Sequence, residues 1–253
     1  MPDDDGKEPI FGIPDVDKRL WSALPKGWVG ILHGEPGSGI ELLAKQFAGT
    51  AKDRIPVYYY TTVERTEDIT SAMRKFGWDR DVKIMNILED YYDRVLSRNL
   101  EISRFRERGI SPEEATSFTM KGVEGPRINF VTRMIYDLAT YDRPFRLIVD
   151  SLDFFLEQAD ASDIISMVRQ IRYRAQRVGG VAILTLTSGI HDARVMGTLE
   201  SIADLLLKLE VEDRSKSFLY GLSIEKVRNH PEVTGKVGVD VGDHGIVSSG
   251  KSK

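Results

Sequence analysis

The feature that most constrains the fold of this chain is the stretch GEPGSGIE, residues 34 to 41. It follows a short apolar run, GWVGILH, and precedes ELLAKQFAGTA, in which apolar residues recur at helical spacing. A glycine-rich loop between a strand and a helix leaves backbone N–H groups unpaired at the helix N-terminus, where they favour an anion. The stretch therefore predicts a strand–loop–helix unit of an α/β protein.

The loop departs from the phosphate-binding pattern G-x-x-x-x-G-K-[ST] at its last two positions. The framing glycines are Gly34 and Gly39, but Ile40 stands in place of the lysine and Glu41 in place of the hydroxyl residue. In the complete pattern the lysine neutralises phosphate oxygens and the hydroxyl holds Mg²⁺. The candidate nucleotide-binding residues are those of the whole loop, including its two substituted positions: Gly34, Glu35, Pro36, Gly37, Ser38, Gly39, Ile40 and Glu41.

The charges at these two positions oppose a bound nucleotide. A carboxylate at Glu41 about 5 Å from a phosphate charge would be repelled by roughly 3 kcal/mol, and loss of the lysine removes an attraction of similar size. Rapid ATP hydrolysis is therefore not expected. When no phosphate occupies the loop, Glu41 is favourable, because an acidic side chain in the first turn stabilises a helix by about 0.3 to 1 kcal/mol. Weak nucleotide binding through the backbone remains open.

Further apolar runs complete an α/β pattern. Strands are predicted over 56–62, 146–150, 181–187, 204–211 and 218–226, and helices alternate with several of them. This alternation predicts a mostly parallel sheet with helices on both faces. The length of 253 residues, 41% of them hydrophobic, favours one large domain. We expect it over 11–248, between a flexible leader (1–10) and a flexible tail (249–253).

The segment 90–126 interrupts the alternation of strands and helices. It begins YYDRVLSRNLEISRFRERG, which combines helical spacing with dense charge. We interpret it as an inserted helical element that serves as a lid or contacts a protein partner. The alternative is a charged, solvated excursion without a binding role.

Composition excludes several classes of protein. The chain has no cysteine, which excludes disulfides, thiolate zinc sites and cysteine nucleophiles. Its four histidines lie far apart in the sequence, without the spacing of metal ligands. No apolar stretch is long enough to span a membrane, and the acidic N-terminus does not resemble a signal peptide. We therefore expect a cytoplasmic protein that does not bind membranes.

Charge gives little support for nucleic-acid binding. The formal net charge is −4, and the arginines of the predicted helix 163–178 are spread around it rather than gathered on one stripe.

Three other features of the sequence are interpreted as structural rather than functional. Trp78 and the consecutive tyrosines 58–60 are expected mainly in the core, and His33 is expected to be a hydrogen-bonded structural histidine.

A second motif follows the loop later in the chain. The stretch RLIVDSLD ends its predicted strand in Asp150, a position from which a carboxylate reaches a metal ion or its water. With this motif the chain resembles the KaiC-like family of the RecA superfamily, a family of archaeal and bacterial ATPases. The resemblance covers nearly the whole chain except 90–126. It rests on GIPDVDKRL, the glycine loop, YYYTTVERTEDI, MRKFGWD, LIVDSLD and KVRNH.

The resemblance implies a RecA-type core in which ATP and Mg²⁺ bind at a subunit interface, typically in a hexameric ring. In that family a pair of glutamates after the second strand activates the attacking water. Here the pair reads Val63 and Glu64, so one acid is absent. A K-x-R pair enters the neighbouring subunit's site, and Lys226 and Arg228 match it; a solvated strand edge is the alternative. Asp150 matches the acid on the metal side.

These observations predict a KaiC-like protein with a degenerate loop, acting as a regulatory or assembly subunit with weak or no ATPase activity. ATP or ADP with Mg²⁺ would bind weakly, or no cofactor would be required. One alternative is a slow but genuine ATPase whose missing lysine comes from elsewhere, such as Lys226 of a neighbouring subunit. A second alternative is a RecA-type DNA-binding protein. We expect a homo-oligomer.

Overall fold

A computed structural model describes residues 9–51, 54–78, 80–93, 100, 103, 130–211 and 220–249. The strands are β1 Trp28–Gly34, β2 Val57–Thr61, β3 Lys83–Asn86, β4 Arg146–Asp150, β5 Val181–Thr187, β6 Leu205–Val211, β7 Tyr220–Val227, β8 Gly235–Gly242 and β9 Gly245–Ser248. The helices are α1 Pro14–Leu20, α2 Ile40–Gly49, α3 Thr66–Lys75, α4 Phe130–Thr140, α5 Leu152–Gln158, α6 Ala161–Val178 and α7 Ala193–Ile202, and a 3₁₀ turn spans Pro231–Val233.

The strands form one nine-stranded sheet in the order β3-β2-β4-β5-β1-β6-β7-β8-β9. All neighbours from β3 to β6 are parallel. The last three strands extend the sheet by antiparallel pairing. The predicted α/β fold with a mostly parallel sheet is confirmed.

Two hydrophobic cores cover the two faces of the sheet. One core contains residues of α1, α2 and α3, and the other contains residues of α4, α5, α6 and α7. Successive strand residues point to opposite faces, so Tyr59 lies in the first core and Tyr60 in the second. Trp78 is 9% exposed and packs in the first core, as the sequence predicted.

The carboxyl ends of the parallel strands meet at one edge of the sheet. The glycine loop follows β1 at this edge, and Asp150 is the last residue of β4. The main-chain N–H of Thr62, just after β2, donates to the carbonyl oxygen of Asp150, which joins these strand ends. In parallel α/β sheets this edge is where ligands bind.

Most of the predicted insertion, 90–126, lies outside the described residues. The chain is helical over 87–93, just after β3. Here Asp90 forms a 2.5 Å ion pair with Arg133 of α4. The ring centroids of Tyr91 and Phe130 lie 6.3 Å apart. The described residues 90–91 and 130–133, on either side of this segment, therefore lie close together.

No helix within the described ranges has the length and apolar character needed to cross a membrane.

Candidate functional site

The glycine loop connects β1 to α2 in a conformation that requires glycine. Gly37 and Gly39 have φ angles of 81° and 91°, in the left-handed region that disfavours other residues. A Cβ atom on Gly34 would collide with the hydroxyl of Ser38 and with the carbonyl oxygen of Leu209. Backbone conformation and close packing thus explain the three glycines.

The loop leaves hydrogen-bond donors available at the start of α2. Gly39 is the N-cap residue, and no side chain caps the helix. Within the described part of the chain, the backbone N–H groups of Gly37, Gly39, Ile40 and Glu41 donate no hydrogen bond. The Ser38 hydroxyl, in a residue only 1% exposed, also lacks a partner there. These donors and the positive end of the helix dipole suit a phosphate chain.

The two unusual loop positions have different environments. Ile40 is 6% exposed and belongs to the hydrophobic core beneath α2. The position of the phosphate-binding lysine therefore holds a side chain that packs into the protein interior. Glu41 is half-buried in the first turn of α2, where its charge interacts favourably with the helix dipole.

The site contains a positively charged side chain, that of Lys45, which the sequence analysis did not predict. Lys45 lies one turn after Glu41 on α2, and its side chain is only 4% exposed. Its Nζ atom lies 2.6 Å from Oε1 of Glu64 and donates a longer, 3.4 Å hydrogen bond to the carbonyl oxygen of Glu41. A nearly buried ammonium requires a counter-charge, which Glu64 provides. The available signal was a lysine within the otherwise core-facing run 43–48.

Glu64 is fixed through its backbone as well as its side chain. Its N–H donates to Oγ1 of Thr61 at 3.2 Å, and its carbonyl oxygen accepts from Nδ2 of Asn86 at 3.1 Å. Val63 beside it is 50% exposed. The carboxylate predicted to activate water is therefore paired with Lys45 and held next to an exposed apolar side chain.

Asp150 is 1% exposed, and both of its carboxylate oxygens accept hydrogen bonds. Tyr59 donates its phenolic hydroxyl to Oδ2 at 2.6 Å, and Thr185 donates to Oδ1 at 2.8 Å. Burial raises the pKa of Asp150, whereas the Tyr59 hydrogen bond and the charge of Lys45 oppose this rise. The carboxylate is thus engaged inside the protein.

These contacts show how well the residues of the site fit the nucleotide and the Mg²⁺ ion that a P-loop ATPase binds. The backbone of the loop fits a phosphate chain, because its amides are unpaired and its glycines leave room. The side chains do not match the ligands by which the complete pattern holds Mg²⁺, because Glu41 stands in place of the coordinating hydroxyl and both carboxylate oxygens of Asp150 already accept hydrogen bonds from hydroxyl groups. Within the described residues, moreover, His, Asp and Glu form no cluster of three that could hold a metal ion.

The predicted site residues fall into two separate groups. The loop, Glu64 and Asp150 share the carboxyl edge of the sheet, whereas Lys226 and Arg228 lie toward the opposite edge. Lys226 pairs with Leu206 near the start of β6, and the loop follows the end of β1 that pairs with Leu209. Strand geometry separates the two groups by about 15 Å.

Lys226 and Arg228 bind the C-terminus of α7 in their own subunit. Lys226 Nζ donates to the carbonyl oxygen of Glu200 at 2.6 Å. Arg228 donates to the carbonyl oxygens of residues 201, 202 and 203, and its Nε lies 2.7 Å from a carboxylate oxygen of Asp204. Burial lowers the pKa of Lys226. Positive side chains at this position satisfy the last carbonyls of a helix.

Most of the remaining polar candidates are also engaged within the chain. His33 hydrogen-bonds Ser188 at 3.1 Å and Glu225 at 2.7 Å, as expected of a structural histidine. Three of the four arginines of α6 have internal partners as well: Arg172 binds Asp204, Arg174 binds a carbonyl oxygen of α4, and Arg177 binds Tyr173, whereas Arg169 is exposed.

The parallel sheet, the helices on both faces and the glycine loop after β1 together define a RecA-like P-loop protein of the α/β class. The family described as "ATPase: KaiC" matches residues 11–252. The chain belongs to this KaiC family.

Matches to curated proteins cover a smaller part of the chain. It is 34% identical over 70 residues to a UPF0273 protein of Methanocaldococcus jannaschii, which is 27% of this chain and 29% of the relative. A UPF0273 protein of Pyrococcus horikoshii is 35% identical over 69 residues, which is 27% of this chain and 28% of that protein. The chain thus spans under a third of the length of these relatives.

Two solved structures have the same fold over most of their length. A KaiC-like protein of Pyrococcus horikoshii aligns with a TM-score of 0.58 and 20% identity, covering 96% of this chain and 98% of that protein. The flagellar accessory protein FlaH of Methanocaldococcus jannaschii aligns with a TM-score of 0.63 and 16% identity, covering 92% and 94%. At these identities the similarity establishes the fold alone.

Proposed function

We propose that this KaiC-family protein is a cytoplasmic regulatory or assembly subunit that binds a nucleotide weakly and hydrolyses ATP slowly or not at all. The observation that carries the proposal is that both acids expected to act on ATP have internal partners. Glu64 is paired with Lys45, and Asp150 accepts hydrogen bonds from Tyr59 and Thr185. Neither carboxylate is poised to orient an attacking water or its metal ion.

The loop side chains support the same conclusion. Removal of one preorganised charge-stabilising donor from an active site costs about 10² to 10³ in rate. Here the lysine and the hydroxyl are both replaced, by Ile40 and Glu41. Glu64 is also held in an ion pair with Lys45, so its carboxylate can reach a water molecule only when that pair opens.

The test is calorimetric titration with ATP and ADP, with and without Mg²⁺, together with steady-state hydrolysis. We expect a dissociation constant weaker than about 1 mM and little dependence on Mg²⁺. Hydrolysis should be negligible and unchanged in Asp150→Asn. Rapid hydrolysis that is lost in Asp150→Asn or Glu64→Gln would overturn the proposal.

A slow ATPase completed by a neighbouring subunit is the second candidate. Its support is the position of Lys226 and Arg228, which lie too far from their own loop to serve it. Their hydrogen bonds to α7 would have to break first. This candidate predicts hydrolysis whose specific activity rises with protein concentration and disappears in Arg228→Ala. Concentration-independent activity would exclude it.

A further inference from the structure

We infer that Lys45 is the phosphate-binding cation of this loop and that Glu64 holds it in a closed position until a ligand competes for it. The ligand class is a polyphosphate chain, such as that of a nucleoside diphosphate or triphosphate, bound without Mg²⁺. The inference rests on the proposed function, because it assumes that the loop still accepts an anion.

The first argument is reach. Side chains on a helix tilt toward its N-terminus, so a lysine on the second turn extends back toward the first. The Lys45 side chain folds back along the helix, because its Nζ atom contacts the carbonyl oxygen of Glu41, which lies beside the backbone nitrogen of Lys45. The same Nζ atom reaches Oε1 of Glu64, just after the carboxyl end of β2, at 2.6 Å. The ammonium group therefore lies at the carboxyl edge of the sheet, the edge at which the loop follows β1.

The second argument is the set of donors that the loop already presents. The unpaired amides of Gly37, Gly39, Ile40 and Glu41 and the buried hydroxyl of Ser38 form a nearly complete anion site. What this site lacks is a full positive charge, because Ile40 packs into the core. Lys45 supplies that charge from the same helix, without help from a second subunit.

The third argument is competition for one ammonium group. A bound phosphate chain carries more than one negative charge, whereas Glu64 carries one, so the chain can replace the carboxylate as the partner of Lys45. Glu64 is 28% exposed and can turn toward solvent when it is released. Ligand binding would thereby move a carboxylate at the surface beside the exposed Val63. The surface near Val63 would thus differ between the ligand-free and the ligand-bound loop, and a protein partner could distinguish the two states.

The test is calorimetric titration of the full chain with sodium tripolyphosphate in EDTA at low ionic strength. Glu64→Gln removes the competitor and should tighten binding about tenfold, and Lys45→Met should weaken it by at least a similar factor. The double variant should bind like Lys45→Met. The matched control is Glu67→Gln, which removes the same charge from an exposed position in the first turn of α3. Its affinity should stay within about twofold of wild type.

Two results would overturn the inference. If Glu64→Gln tightens binding equally with and without Lys45, the gain comes from the lost negative charge and not from a freed lysine. If no variant binds tripolyphosphate, the loop does not accept an anion. Thermal unfolding verifies that each variant is folded, and Lys45→Gln replaces Lys45→Met if the latter is not. The hydrolysis assay stays separate, because rapid ATP turnover would overturn the proposed function whatever these titrations show.

Discussion

At the scale of single residues, Ile40 and Glu41 change the loop in different ways. Ile40 contributes apolar burial to the core beneath α2, and full burial of an isoleucine is worth about 1.5 to 3 kcal/mol. Glu41 places a negative charge beside the donors that would hold a phosphate. Restoring the phosphate-binding pattern therefore exchanges some stability for charge complementarity.

The double substitution Ile40→Lys with Glu41→Thr should raise ATP affinity at least about tenfold, because it removes a repulsion and adds an ammonium and a hydroxyl. It should also lower the free energy of unfolding by about 1 to 2 kcal/mol, since apolar burial is lost. Calorimetry and urea denaturation measure the two effects. Glu41→Thr alone is the control, and it should improve affinity without the full loss of stability.

Turnover in that double variant should recover only in part. Val63 still occupies one of the two acidic positions, and Glu64 is still paired with Lys45. Adding Val63→Glu should raise the rate with little change in affinity, because the new acid lies beside the water and not beside the phosphates. Unchanged ATP affinity in the double variant would show that Ile40 and Glu41 are not what weakens binding.

The sequence predicted some of these residue environments and not others. The loop and Asp150 could be found because each belongs to a local strand-end motif. The partners of Asp150 could not, since Tyr59 and Thr185 come from the neighbouring strands β2 and β5 and meet only in the folded sheet. Lys45 was missed for the same reason, since its partner Glu64 follows β2, 19 residues further along the chain.

At the scale of secondary structure elements, Arg228 ties β7 to the C-terminus of α7. Arg228→Met should lower the free energy of unfolding by about 2 kcal/mol, because three carbonyl oxygens and the fully buried Asp204 lose a charged donor. Urea denaturation measures this loss. Arg194→Met, at the exposed start of the same helix, is the control and should be nearly neutral. Unchanged stability would leave Arg228 free for a role in another subunit.

A pH effect should arise at the antiparallel strands. Hydrogen bonds from Lys208 and Lys236 lower the pKa of Glu210 from 4.5 to about 2. At pH values between about 2 and 4.5, Glu210 is protonated in the unfolded chain but ionised in the folded chain. The stabilisation from its ion pairs is therefore lost as the pH falls through this range. Glu210→Gln should therefore be less stable than wild type at about pH 6, by under about 1 kcal/mol because the pair is exposed. The difference should vanish near pH 2.

Urea denaturation at several pH values measures this dependence. Glu67→Gln is again the control, and its stability relative to wild type should not follow the same curve. A difference for Glu210→Gln that is constant from pH 2 to pH 6 would contradict the assignment.

At the scale of the whole molecule, the parallel half of the sheet was predictable and the last strands were less so. Long apolar runs separated by helices mark β1, β2, β4 and β5. The strands β8 and β9 were missed because β8, GKVGVDVG, is rich in glycine and β9 is only four residues long. Their place in the sheet depends on antiparallel pairing with β7, which no local pattern specifies.

The arrangement of the two groups of site residues predicts how copies of this chain would associate. The loop and the Lys226–Arg228 pair lie at opposite edges of the sheet, so a contact between them joins different surfaces of two subunits. Such head-to-tail contacts close into rings when the rotation permits. We expect light scattering to detect a homo-oligomer at high protein concentration, with ATP or ADP favouring it. A monomer both with and without nucleotide would contradict this prediction.

The predicted insertion should be separable from the domain. Because Asp90 contacts Arg133 and Tyr91 lies near Phe130, a short glycine–serine linker in place of residues 94–126 would join points that are already close. The shorter loop lowers the entropy cost of closure by about 1 kcal/mol, so we expect thermal stability nearly equal to that of wild type. Tyr91→Ala is the control: it disrupts the aromatic contacts with Phe130 and Phe154 at the junction and should destabilise both the full chain and the deletion variant. Differential scanning calorimetry measures all four proteins. If the deletion variant fails to fold, the segment belongs to the core of the domain and is not an insertion.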